Sequence, residues 1–241
     1  MSLKIGVVSE GFEWDISEED VSRKVRETAE SLKEFGVTVE EVSIPMHLDG
    51  IYIWNGIGIE DLTSMTINEN GMVKNWKGHY STYLLDYYGK SKKTRADEYY
   101  ETVKMIMLLG EYMRTQYKGK YYAKAQNLAR TLKAAYDKAF EDFDILVMPT
   151  TLMKATEIPP ADAAREEVIG KALGMIQNTA PFNITGHPAM NVPCGTSNSL
   201  PVGMMLVGKT GMDEQVLQAA YAFQSKLTSV QSTPVYNHFT K

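Results

Sequence analysis

The sequence predicts an α/β fold: a mixed, mostly parallel central sheet with flanking helices. Three observations carry the prediction. A strand, a helix and a second strand alternate within residues 4–48, two long helical stretches follow one another between residues 97 and 140, and short apolar runs return before a closing helix that ends near residue 225. Strand–helix–strand alternation is the signature of a βαβ unit, in which the crossover helix makes the two strands parallel.

Each element has its own local signal. Lys4–Ser9 is a short apolar run. Val21, Val25, Ala29 and Leu32 recur at helical spacing, with Asp15 or Ser17 available as an N-cap and Asp20 three positions beyond Ser17, close to a capping box. Gly36 suits a left-handed helix end, and Val37–Val42 resumes the strand pattern, closed by Pro45. Residues 50–64 read as a helix against which Gly56 and Gly58 count, residues 68–79 as a loop, and residues 81–89 as a short helix. The basic run Lys90-Ser91-Lys92-Lys93 reads as a solvated loop.

Residues 97–117 carry an apolar stripe of Val103, Ile106, Met107 and Gly110, and residues 121–140 one of Ala125, Leu128, Leu132, Ala135, Tyr136 and Ala139. The Lys118-Gly119 break between them predicts an antiparallel helical hairpin. Residues 144–149 are an apolar strand ended by proline, residues 166–177 a short helix, and residues 179–186 irregular. Residues 189–193 and 200–208 are strands around a small polar turn, with Gly203 marking a close approach, and residues 213–225 form the last helix. The expected organisation is one partial domain over residues 1–241, made of a strand–helix–strand unit (4–48), a mostly helical insert (50–140), and strands with a closing helix (144–225).

Composition excludes several classes. The chain has 241 residues, 44% hydrophobic, with a formal net charge of −5, enough for a substantial core and with no basic excess to draw nucleic acid. One cysteine, Cys194, forbids an internal disulfide, and no apolar run reaches the roughly 18 residues of a membrane span. Both favour a cytoplasmic setting. The four histidines, His47, His79, His187 and His238, have no metal-ligand spacing, so no metal and no cofactor is expected.

A nucleophile is equally hard to find. The GxSxG elbow is absent, and Ser197 and Ser199 sit in a turn-like Gly195–Ser199 segment. Cys194 with His187 is a conceivable thiol–imidazole pair, but a half-buried structural thiol after a core strand fits the spacing better. Trp54 and Trp76 lie where an indole could wall a pocket, and the tyrosines flanking the long helices read as packing groups. On these grounds the chain is an α/β domain without a complete catalytic set.

Three segments resemble one family. Residues 178–195 are similar to the late consensus of amidase-signature enzymes, an N-x-x-G-x-P-A stretch followed by an apolar strand and P-x-G. Residues 200–208 match that family's L-P-x-G segment, and residues 144–150 its apolar strand ending in P-T. Asn70-Gly71-Met72, residues 75–80 and residues 121–127 bring the resemblance closest to bacterial carboxamide-hydrolysing amidases associated with nitrile degradation.

The resemblance covers residues 4–223 and matches the C-terminal half of the amidase-signature fold, with its long helical hairpin. It implies that the Ser–cis-Ser–Lys triad lies in an N-terminal half supplied in cis or trans, and that this chain holds no catalytic residue. It implies substrate-binding roles for Trp54, Leu173 and Ile176, which match residues lining the acyl side of the pocket. Asn178, Gly186, His187 and Pro188 would shape the loop beside the active-site floor. The expected ligand is a small amide once the halves are joined, and an exposed apolar face would otherwise promote self-association. The competing expectations are a non-catalytic scaffold protein derived from this fold and a fragment of the A-type chain of a tRNA-dependent amidotransferase.

Overall fold

The computed structural model describes residues 3–72 and 79–230, with the side chains described as far as residue 225. Among these residues the chain forms two compact units. One holds the stretches up to Ile51, Arg130–Glu157 and from Met175 onward; the other holds Tyr52–Ala129 and Ile158–Gly174.

The first unit is built on a five-stranded sheet. β1 (Lys4–Val8) leads through α1 (Glu19–Ser31) to β2 (Thr38–Val42), and β2 is followed by a 3-10 turn and the start of α2 (Gly50–Thr63). In the second unit come a π-helical turn (Ser64–Asn68), α3 (Thr82–Thr94), α4 (Glu101–Tyr117) and the first half of α5 (Lys120–Ala139). β3 (Ile145–Pro149) returns to the sheet, and α6 (Arg165–Leu173) again belongs to the second unit. α7 (Ala180–Thr185), β4 (Ala189–Ser197), β5 (Leu200–Gly208) and α8 (Asp213–Val230) complete the first.

The strand order is β2-β1-β3-β5-β4. β1 pairs in parallel with β2 and β3, whereas β5 is antiparallel to both β3 and β4. Four of the five strands therefore run the same way, with β5 reversed by a tight hairpin. Asn198 and Ser199 at its turn have φ of 50° and 66°, the left-handed pair that a two-residue hairpin requires. β3 is buried along its whole length, as is β5 from Met204 to Gly208, as expected of strands covered on both faces.

Several local expectations are corrected. α1 begins at Glu19, and neither Asp15 nor Ser17 caps it. The Glu18 and Asp20 carboxylates instead hold the Lys154 ammonium, Asp20 at 2.6 and 2.8 Å. Residues 180–185 are helical rather than irregular, ended by Gly186 at φ 71° with its N–H on the Phe182 carbonyl. The basic run at Lys90–Lys93 is the last turn of α3, not a loop: Lys92 Nζ donates to the carbonyls of Thr66 and Ile67. Residues 73–78, and with them Trp76, lie outside the described residues.

α2 forms despite Gly56 and Gly58, and Gly56 is a packing position. A Cβ on Gly56 would stand 2.8 Å from Ala125 Cβ of α5. Across the other contact, a Cβ on Gly110 of α4 would stand 2.6 Å from the Ile59 carbonyl and 2.0 Å from Thr63 Oγ1. Both long helices thus approach α2 at glycine, where backbones can come closer than side chains normally permit.

Candidate functional site

In an open α/β sheet, ligands favour the crevice at the carboxyl ends of strands where the chain order reverses. Here β1 leads outward to β2 on one side and β3 joins it on the other, so the reversal lies between β1 and β3. Asn178 fills that place. Its Nδ2 donates to the Gly11 carbonyl just after β1 and to the Pro149 carbonyl at the end of β3, each at 2.8 Å. Its Oδ1 accepts from Trp14 Nε1 at 3.1 Å and faces His47 Nε2 at 3.0 Å. One buried amide therefore saturates four partners, and its orientation follows from the two carbonyls, which can only accept.

The network continues inward. His47 is fully buried, with Nδ1 2.6 Å from the Tyr136 hydroxyl. Since Asn178 Oδ1 is an acceptor, His47 carries its proton on Nε2, and Nδ1 accepts from Tyr136. Burial pushes the His47 pKa down and that of Tyr136 up, so both are neutral. Glu10, also buried, accepts from Ser43 and from the Ile44 amide at 2.8 Å, which fixes the chain entering His47's turn.

A second buried histidine adjoins the first cluster. His187 lies 5.3 Å from the Phe140 ring centroid, stacked, and meets Tyr136 edge-on at 5.6 Å. Its Nδ1 lies 2.9 Å from Thr185 Oγ1 and its Nε2 3.2 Å from Asp137 Oδ1. Burial lowers the His187 pKa despite the Asp137 carboxylate. For Asp137, burial works upward, but the hydrogen bonds from Lys133 and His187 prevail and the net shift is downward. The pair is thus a neutral imidazole donating to a carboxylate.

His187 also borders a cavity of about 290 Å³ over β5 and the start of β4. Phe182, Met190 and Met205 give it an apolar floor; Thr150, Asn183 and Asn191 supply hydroxyl and amide groups. Thr150 Oγ1 donates to Asn191 Oδ1 at 2.5 Å. Gly203 makes room for that amide, since a Cβ there would stand 2.1 Å from Asn191 Oδ1. The close approach expected at Gly203 is thus to a side chain.

What this arrangement can do is wall a pocket, not start a reaction. Both nitrogens of His187 and both of His47 are committed, and Tyr136 lies against both rings. Neither has a free lone pair for general-base work. Cys194 is buried within β4, its Sγ 3.4 Å from the Val202 carbonyl, and burial pushes its thiol up to about 11, away from the thiolate that attack requires. It is more deeply buried than the half-buried thiol expected from its spacing. Among the described residues no group of three or more His, Cys, Asp or Glu side chains could hold a metal ion, and no helix is long and apolar enough to cross a membrane.

The other expected positions are distributed over both units. Trp54 and Leu173 are half-buried in the unit of Tyr52–Ala129 and Ile158–Gly174. The Trp54 indole lies along its own helix, 3.7 Å from where a Gly58 Cβ would stand. Ile176 belongs to the sheet unit, and its carbonyl accepts from the Thr179 and Ala180 amides at 3.1 and 2.8 Å, setting the start of α7. Gly186 and Pro188 flank His187, and the Pro188 carbonyl accepts from the Gly208 amide at 2.9 Å. The structure brings Asn178 and His187 together through His47 and Tyr136, two residues that sequence reasoning leaves without a role.

Comparison with known proteins agrees with this architecture. A family model described as Amidase matches residues 1–217. The chain is 37% identical over 222 residues to the "Enantioselective amidase" of Rhodococcus rhodochrous, covering 92% of this chain but 43% of that protein. It is 42% identical over 183 residues to the "Uncharacterized protein in nthA 5'region" of Rhodococcus erythropolis, covering 76% of this chain and 92% of that one. The A-type chain of the glutamyl-tRNA(Gln) amidotransferase of Lysinibacillus sphaericus is 32% identical over 210 residues, 86% of this chain and 41% of that protein. Among solved structures, a bacterial aryl acylamidase of the amidase signature family superposes with a TM-score of 0.70 at 18% identity, over 93% of this chain and 43% of that one; it supports the fold. The chain thus spans less than half the length of the enzymes named as amidase or amidotransferase.

Proposed function

The chain belongs to the amidase family, and from that premise we propose that it acts as the C-terminal half of an enzyme hydrolysing a carboxamide to carboxylate and ammonia. In this reading it supplies scaffold and substrate-pocket walls, and the Ser–cis-Ser–Lys triad comes from an N-terminal half in cis or trans. The observation that carries the reading is the state of His187. It borders the cavity that adjoins the Asn178 network, yet both its nitrogens are already bonded and its ring is packed against Phe140 and Tyr136. A pocket whose imidazole is structural needs its chemistry from elsewhere.

The surface of β4 supports the same division. β4 is the last strand of the described sheet, and Met190, Asn191 and Pro193 along it are exposed. An unpaired strand edge with apolar side chains is a surface that other chain segments cover in stable proteins. We assign it to the complementing half, and expect self-association when that half is missing. To the acyl group we assign Trp54 and Leu173 of the helical unit, a ring and a branched aliphatic suited to an apolar or aromatic body.

The test is complementation. The chain alone, and the chain mixed with a purified segment carrying the amidase-signature serines and lysine, are assayed for ammonia release from benzamide and acetamide. Release by the mixture and none by the chain alone is expected; release by the chain alone overturns the reading. A fragment of an amidotransferase is the second reading, supported by the 32% identity to the A-type chain of such an enzyme. Release of ammonia from glutamine by the complemented protein, without benzamide hydrolysis, would select it.

A further inference from the structure

A second cavity, of about 510 Å³, lies within the helical unit, between the π-helical turn after α2, the end of α3 and the middle of α4. That volume falls in the range of small-molecule pockets. Ile67, Ala96, Tyr99, Met107 and Leu108 make its walls apolar, and Leu108 is 74% exposed at its rim. The charged groups lining it are three lysines, Lys92, Lys93 and Lys104, against one acid, Glu111.

The lysines are not equivalent. Lys104 is paired with Glu101 at 3.1 Å, and Glu111 lies 3.8 Å from Arg114. Lys92 has no carboxylate partner among the described residues. Its ammonium is tethered by the backbone carbonyls of Thr66 and Ile67, leaving one of its three donors unused. Lys93 is exposed and has neither a hydrogen bond nor an ion pair among the described residues. The Tyr99 hydroxyl is 2.7 Å from that of Tyr88, so this wall is fixed rather than loose. An apolar hollow thus carries an excess of positive charge, one cation being held in place by the main chain.

We propose that this cavity binds an organic carboxylate with an extended apolar body, the hydrocarbon lying on Met107, Leu108 and Ile67 and the carboxylate meeting Lys92 and Lys93. A neutral apolar ligand would leave the two cations unanswered, and a small hydrophilic anion would leave the walls wet. The inference is independent of amide hydrolysis, since it concerns residues of the helical unit alone.

The experiment uses the full chain labelled with ¹³C at its methionine methyl groups, with the Met107 resonance assigned through Met107→Leu. Decanoate is titrated below its micelle-forming concentration, in parallel with decanamide, which has the same chain and no charge. A saturable shift of the Met107 methyl is expected, with decanoate bound roughly fivefold more tightly than decanamide, the upper range for exposed ion pairs. The preference should shrink as salt is raised. Lys93→Ala, a surface substitution, should abolish part of the preference while leaving decanamide binding unchanged; Lys92→Leu, which also frees the Thr66 and Ile67 carbonyls, should remove more of the preference. Absence of a saturable shift, equal affinity for the two ligands, or uniform shifts across all methionines would overturn the proposal.

Discussion

Asn178 Oδ1 and His47 Nε2 lie 3.0 Å apart inside the sheet unit, and this bond fixes the protonation of a chain of side chains from Trp14 to Tyr136. The amide cannot flip, because its Nδ2 faces two carbonyls. The imidazole cannot change tautomer without turning a donor against a donor. Asn178→Ala therefore strands two carbonyls, an indole N–H and an imidazole N–H in a buried place. Each unsatisfied buried group costs about 1–3 kcal/mol, and partial relaxation makes a loss of about 3–5 kcal/mol the expected outcome in urea unfolding. Asn178→Asp should be no milder above its carboxyl pKa, since its second oxygen would face the Gly11 and Pro149 carbonyls.

The two buried histidines make stability depend on pH in one direction. Burial lowers both folded-state pKa values below the unfolded value of 6.5. Below that pH the unfolded chain takes up protons that the folded one refuses, so the unfolded state binds more protons and stability falls as pH falls. The midpoint of thermal unfolding should be level from pH 8 to 7 and drop from pH 6.5 to 5.5. The His47 and His187 imidazole proton signals should remain in the neutral form through pH 6.5. Titration of either near 6.5 in the folded protein would contradict the assignment.

Much of the fold is legible in the sequence because its signals are local. Apolar runs at Ile5–Val8 and Ile145–Met148, the stripe Val21-Val25-Ala29, and Gly36 each report one element. α7 escapes a pattern search because a six-residue helix containing Pro181 and Asn183 shows less than two turns of periodicity. The capping box at Ser17 does not form because Lys154, distant in sequence, takes the carboxylates. Asn178 and His187 are legible only through the family resemblance. Tyr136 is legible only as part of the apolar stripe of α5; its bond to His47, and the roles of His47 and Trp14, are not, because they lie in contacts between residues 89 to 164 positions apart. Gly56 and Gly58 argue against α2 by propensity, while the tertiary contact at Gly56 argues for it.

The Lys154 clip should respond to acid differently from the histidines. The Lys154 hydrogen bond, with that of Ser197, holds the Asp20 carboxyl down at about 2. A carboxyl lowered on folding contributes stability above its unfolded pKa of 3.8 and loses it as pH falls through about 2. Asp20→Asn should lower the unfolding temperature at pH 7, with a smaller loss at high salt. The difference from the parent protein should vanish near pH 2. A difference that persists there would assign the effect to packing.

Two glycines provide opposite cases of crowding. At Gly110 the added methyl of Gly110→Ala would meet the Ile59 carbonyl, which cannot swing away, and would displace Thr63 Oγ1 from the Ile106 carbonyl. A loss of about 1–3 kcal/mol is expected. At Gly203 the obstruction is the Asn191 side chain, whose end can rotate. Gly203→Ala should cost only the Thr150–Asn191 hydrogen bond, about 1 kcal/mol. It should cost almost nothing in an Asn191→Ala background, and a double-mutant cycle measures that coupling.

Cys194 offers a direct report on the sheet's outer strands. Its thiol is 2% exposed and raised to about 11, so at pH 8 both access and thiolate fraction are low. Ellman's reagent should modify the native protein slowly, at a rate set by opening of the β4–β5 hairpin, and modify the urea-unfolded chain at once. Native-state labelling that depends on reagent concentration but not on added urea would mean that the thiol is open without unfolding. Slow labelling that accelerates steeply with urea would show that the β4–β5 hairpin stays closed around Cys194, whose Sγ faces the Val202 carbonyl at the bulge between the Pro193–Gly203 and Gly195–Val202 pairs.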